Sequence, residues 1–221
     1  VAVVLLTRLK FPDPASLEDD DLGQGKEAGA ETQGLPRRFW LYALFAFFSV
    51  LGFASFQLIS YHLQTKGIVA ETLIPTLYAV AMGVDAMVAV LVGKLYDKKG
   101  MEILLAIPAL SLPIPFLGFS ASQAQAFTAV ILWGAVMGIH ETIMRAAIAD
   151  MTGIRARGRA YGLFNTLYGV AWFLGSAVVG VLYDRNHSLM MGFIVCVQLC
   201  AVGTFAEFYR QSRSSRFDHA D

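Results

Sequence analysis

The sequence predicts an all-α integral membrane fold: six transmembrane helices arranged as two inverted three-helix repeats. Three observations lead there. The 221 residues are 56% hydrophobic and only 15% charged, with mean hydropathy +0.56, which leaves too few charges to cover a soluble globule of that size. The charges cluster between apolar runs whose lengths suit a bilayer. The stretch "GKLYDKK" at 93–99 partly returns as "GVLYDRN" at 180–186, each time closing an apolar run.

Spanning the hydrocarbon layer as a helix takes roughly 20 apolar residues. Residues 39–60 and 160–183 carry no charge, and 72–92 carries only Asp85, so each predicts one span. Residues 103–139 are also uncharged, but they are too many for one crossing. "SASQAQ" at 120–125 divides them, predicting helices near 103–119 and 126–149. The first of these holds Pro108, Pro113 and Pro115, each removing a backbone donor and favouring a kink. A last run, 189–206, completes the six.

Before these helices, "VAVVLL" at 1–6 reads as the tail of a truncated transmembrane helix. Its order of apolar and basic residues does not suit a signal peptide. Residues 7–38 mix Pro, Gly and the acidic run "LEDDD". Such a composition buries too little apolar surface to offset ordering entropy, and predicts a flexible cytoplasmic linker. Cys196 and Cys200 are four apart in one apolar segment, a poor spacing for a disulfide, and read as small buried hydrophobes.

Net charge is zero and the isoelectric point about 7.1, so nothing draws the chain to nucleic acid. Fifteen of the seventeen Lys and Arg residues fall on one side of the predicted topology, leaving Lys66 and Arg185 opposite. The positive-inside rule then places the linker, the 93–100 loop, the 150–159 loop and the C-terminus in the cytoplasm, in a plasma or inner membrane. Arg155, Arg157 and Arg159 in the second of these loops are expected to meet linker acids or anionic headgroups.

With that topology the two Gly-x-Leu-Tyr-Asp copies end the second and fifth helices on opposite sides. Triplets of opposite orientation carrying one terminal sequence are the mark of an inverted-topology repeat. Gly93 permits close helix approach, Gly100 a tight turn, and Asp97 can accept from the N-terminal amides of a neighbouring helix.

Gly93, Leu95, Asp97, Lys98 and Gly100 match residue by residue a cytoplasmic loop motif of the form Gly-x-Leu-x-Asp-Arg-x-Gly-Arg, and by them the chain resembles the major facilitator superfamily (MFS) of secondary transporters. It departs from the motif at Lys98, a point charge in place of a bidentate fork, and at Met101. The resemblance extends from Phe39 onward and implies the C-terminal six-helix half of a transporter. It implies that the motif is a conformational latch, and that an N-terminal six-helix half of the same protein is its partner. The outer copy, "VLYDRNHS", reads as a relic of shared ancestry.

Ionisable groups at bilayer depth cost about 2.5–3.5 kcal/mol on insertion scales and mark functional positions. Asp85 lies inside the second helix, and His140, Glu141 and Arg145 lie along the fourth, which ends at Asp150. Asp85 or Glu141 can bind substrate or carry a coupling proton or ion. Alternatively Glu141 and Arg145, an i, i+4 pair with the acid first, neutralise one another. On the fifth helix Asn165, Tyr168 and Trp172 form a strip able to line a cavity. Gly162, Gly169, Ser176 and Gly180 form a small-residue face suited to helix packing.

The function expected is secondary active transport of a small-molecule substrate by alternating access. The alternative is a sensor or scaffold that only anchors partners in the bilayer. No HExxH, G-x-S-x-G or phosphate-loop pattern is present, so the sequence calls for no enzyme activity, metal or cofactor.

Overall fold

The computed structural model describes residues 35–217, of which 35 onward belong to one compact unit. The predicted truncated helix at 1–6 and nearly all of the 7–38 linker lie outside the described residues. The described residues are helical: α1 (Arg37–Leu51), α2 (Phe56–Thr65), α3 (Ile74–Lys99), α4 (Ala106–Ser111), α5 (Pro113–Gly118), α6 (Gln123–Met151), α7 (Ile154–Arg185) and α8 (His187–Phe217), with 3-10 turns at Glu71–Leu73 and Gly100–Leu105. Five stretches among them are long and apolar enough to cross a membrane. One of these, Glu71–Gly118, has 48 residues, far more than one crossing takes at about 1.5 Å rise per residue.

That stretch reverses at Gly100, whose φ of 62° and ψ of −143° only glycine adopts readily. Gly118 then packs on Ile59 and Phe119 on His62, at the end of the bundle from which α3 set out. Six passes result: α1 with α2, α3, α4 with α5, α6, α7 and α8. Pro113 opens α5 directly after α4, the interruption its missing N–H predicts.

The helices run further than the apolar runs, because charged side chains extend beyond the hydrocarbon while the backbone stays helical. This corrects two expectations. Gly93–Lys99 forms the final turns of α3, and only Gly100 turns. Residues 154–159 belong to α7, so only 152–153 separate α6 from α7. Arg157 donates from Nε to the Thr152 carbonyl at 3.4 Å and from Nη2 to the Ala149 carbonyl at 3.3 Å. It thus satisfies acceptors that the end of α6 leaves open.

The first pass, read as one helix over 39–60, is broken at 52–55. Ser55 starts α2 by accepting from the Leu58 amide at 3.4 Å. Gln198 Nε2 donates to the Ser49 and Gly52 carbonyls at 3.2 and 3.3 Å, and Trp133 Nε1 donates to the Ala54 carbonyl at 3.0 Å. Three acceptors at the break are therefore paired from α8 and α6, without which a break at membrane depth is costly.

Packing rests on glycines other than the predicted ones. A Cβ at Gly134 would clash with the Ala81 backbone, one at Gly138 would lie 2.6 Å from the Asp85 carbonyl oxygen, and one at Gly175 would lie 2.5 Å from the Leu51 carbonyl oxygen. These three set the contacts of α6 with α3 and of α7 with α1. Gly162, Gly169 and Gly180 face open space, so they pack no helix within the described residues. At Gly93 a Cβ would meet only Thr142, at an ordinary 3.8 Å. Cys196 and Cys200 are unpaired but exposed, which corrects their reading as buried.

Gly134→Ala should lower stability by about 1–3 kcal/mol through this backbone clash, read as a fall in thermal midpoint of the full chain in lipid nanodiscs. Gly192→Ala, at a position with open space around it, should leave the midpoint unchanged.

Candidate functional site

Six of the seven residues singled out as substrate or coupling candidates meet at one place. His140, Glu141 and Arg145 from α6 and Asn165, Tyr168 and Trp172 from α7 line a cavity of ≈ 210 Å³, with Met137, Met144 and Phe164 completing its wall. The periodicity of the two helices explains the convergence. Residues 137, 140, 141, 144 and 145 share one face of α6, and 164, 165, 168 and 172 one face of α7, because residues three and four apart are neighbours on a helix.

The wall is aromatic on the α7 side. Phe164, Tyr168 and Trp172 follow one another at ring separations of 6.0 and 6.1 Å, the second pair stacked at 22°. Phe53, in the break of the first pass, touches His140 at 5.4 Å, Trp133 at 5.8 Å and Trp172 at 6.1 Å. Tyr168 and Trp172 also line a second, more open groove of ≈ 730 Å³ with Ser55 and Gln57 at the start of α2. The aromatic pair therefore stands between cavity and groove.

His140 is 2% exposed, and neither ring nitrogen has a hydrogen-bond partner. A buried polar group left unpaired costs about 1–3 kcal/mol. A neutral imidazole beside the cavity offers one donor and one acceptor to whatever enters. Glu141 and Arg145 are both exposed, and no ion pair joins them among the described residues. Mutual neutralisation within 4 Å is thus not what holds them, and both charges remain open toward the cavity.

Asp85 stands apart, on the interface of α3 with α6. Its Oδ1 is buried without a hydrogen-bond partner, and a Cβ at Gly138 would approach that oxygen to 3.1 Å. The glycine makes room for the carboxylate. Asp85 does not line the cavity.

The motif residues collect at the end of α3. Leu95, Asp97 and Lys98 are exposed and Gly93 is partly buried. Asp97 has no bonded partner among the described residues. Tyr96, between them, donates from its hydroxyl to Asp150 Oδ2 at 2.8 Å. Lys94, Lys98 and Lys99 lie in the last turns of α3 and Arg157 and Arg159 in the first turns of α7, while Lys66 follows α2 and Arg185 closes α7.

Sequence reasoning missed Phe53, Ser55, Gln57, Trp133 and Gln198. "LGFAS" at 51–55 does contain a signal, a glycine followed by a serine able to cap a new helix. Nothing in sequence periodicity shows that Trp133 and Gln198 would pair with the carbonyls it frees.

An all-helical membrane bundle with a polar and aromatic cavity between two long passes is the class this geometry defines. The Major Facilitator Superfamily pattern matches residues 1–176, and the chain belongs to that superfamily. It is 32% identical over 202 residues, 91% of its length, to uncharacterised proteins of Mycobacterium bovis and Mycobacterium tuberculosis. The chain spans about half the length of these relatives, the match covering 49% of each.

Because neither His140 nitrogen is bonded, His140→Phe should leave the stability of the full chain unchanged or raise it by up to about 1 kcal/mol, read as its thermal midpoint. A midpoint several degrees lower would mean that the imidazole is structural.

Proposed function

We propose that this chain is the C-terminal half of a secondary transporter that moves a small solute by alternating access, with the cavity between α6 and α7 as its share of the substrate site. The observation that carries the proposal is His140, buried beside that cavity with both nitrogens unpaired, next to a carboxylate and a guanidinium not paired with each other. A scaffold has no use for that combination, since each group adds cost to the membrane-embedded fold.

In this reading the end bearing Lys94, Lys98 and Lys99 faces the cytoplasm. Tyr168 and Trp172 separate an inner cavity from an outer groove, and substrate passes between the two as the halves rock. Asp85 and Glu141 respond to a coupling proton or ion. Membership of the superfamily and the aromatic partition support the reading.

The N-terminal half is the proposed partner of α3 and α7. Only Leu77, Ala81 and Val92 are buried among the 26 residues of α3. Large apolar side chains such as Leu91 and Phe173 are 64% and 71% exposed, and lipid or the other half must cover them. Asp97, exposed and unbonded within the described residues, is free to latch to a helix end of that half.

Uptake of an isotopically labelled cell extract by cells expressing this chain together with its N-terminal half, compared with a vector control by mass spectrometry, tests the proposal. At least one small metabolite should accumulate, and Glu141→Gln or Asp85→Asn should lower its uptake at least about ten-fold, the scale on which functional ionisable groups act. Wild-type uptake by both variants would remove the assigned roles, and no metabolite above control would remove the transport reading.

A further inference from the structure

The outer copy of the repeated motif makes a contact that mirrors the inner one. Tyr96, in the second pass, bonds Asp150 at the C-terminal end of the fourth. Tyr183, its counterpart in the fifth pass, lies with its hydroxyl 2.8 Å from His62 Nδ1, near the C-terminal end of the first. In each case the motif tyrosine on the second helix of one triplet reaches the end of the first helix of the other triplet. Shifting Asp150 by the offset between the two copies brings it to within one residue of His62.

The outer contact is sealed. His62 is 4% and Tyr183 8% exposed. Phe119 packs against both, at ring separations of 5.4 and 5.5 Å, and His187 lies 4.7 Å from the Tyr183 ring and 6.0 Å from His62. The Ser120 backbone also bonds His62 and the Thr65 side chain also bonds Tyr183, so the Tyr183–His62 bond lies in a small polar cluster walled by rings.

The helix it secures cannot hold itself. α2 has ten residues, too few for stability on local propensity alone, and the break at 52–55 uncouples it from α1. Its placement depends on tertiary contacts. It also carries Gln57, with Ser55 capping it, on the groove shared with Tyr168 and Trp172.

We propose that Tyr183 is a positioning residue, whose bond to His62 holds α2 against α7 at the outer end of the bundle as Tyr96 holds α6 against α3 at the inner end. The outer copy of the motif is then a working clamp and not a relic, and the inverted repeat supplies one clamp per membrane face. Its consequence for transport, a groove wall fixed or freed at the outer side, rests on the transporter reading; the clamp itself does not.

Hydrogen exchange read by mass spectrometry on the full chain in lipid nanodiscs, with no substrate present, tests it. Tyr183→Phe, which removes one hydroxyl, should raise exchange over 56–66 about five-fold, the scale of one lost hydrogen bond, and leave 143–151 unchanged. Tyr96→Phe should do the reverse. His62→Asn, which keeps an acceptor near the Nδ1 position, should behave as wild type, whereas His62→Leu should reproduce Tyr183→Phe. Unchanged exchange over 56–66 in Tyr183→Phe, equal exchange in the two His62 variants, or a uniform rise across the bundle would overturn the clamp. Failed uptake with these exchange patterns intact would sink the transport reading alone.

Discussion

Everything in this bundle depends on backbone hydrogen bonding where no water is present. An unpaired carbonyl or amide at membrane depth costs several kcal/mol, so a spanning helix departs from regularity only where a side chain takes up the freed groups. The first pass does so at 52–55, because Gln198 and Trp133 reach the Ser49, Gly52 and Ala54 carbonyls from two other passes. That repair places Phe53 against His140 and Trp172 and gives the groove its Ser55 and Gln57 wall. The site exists because the break is satisfied.

Close approach of helices is the second determinant, and it is local. Gly134, Gly138 and Gly175 let backbones meet where a Cβ would collide. The gain is dispersion contact, the main attraction available between helices in lipid. Gly138 serves a further purpose, since the space it leaves admits the Asp85 carboxylate between α3 and α6. Packing and chemistry share one residue there.

Much of the site was legible in sequence, for a thermodynamic reason. A charged or strongly polar residue in an apolar run is costly, so His140, Glu141, Arg145 and Asp85 stood out against their neighbours. Helical periodicity was enough to put Asn165, Tyr168 and Trp172 on one strip. Sequence periodicity could not tell which strip faces which helix. The small-residue face of Gly162, Gly169 and Gly180 looked equally suited to packing, yet it is Gly175, outside that pattern, that meets Leu51. An i, i+4 acid and base looked like a pair, yet Glu141 and Arg145 do not close on each other, because both extend toward the cavity.

Hydropathy and charge in the sequence alone determined that the chain has helices fit to cross a bilayer, and its residue pattern that one motif closes two of the apolar runs. These follow from solvation, which acts on each residue where it stands. Tertiary structure decided what those features do. Whether the first pass continues or breaks depends on Gln198, 146 residues beyond Gly52. That Tyr183 meets the end of α2 depends on His62, 121 residues before it. Pairing of buried polar groups is a property of two positions at once, and only the fold brings both to the same place.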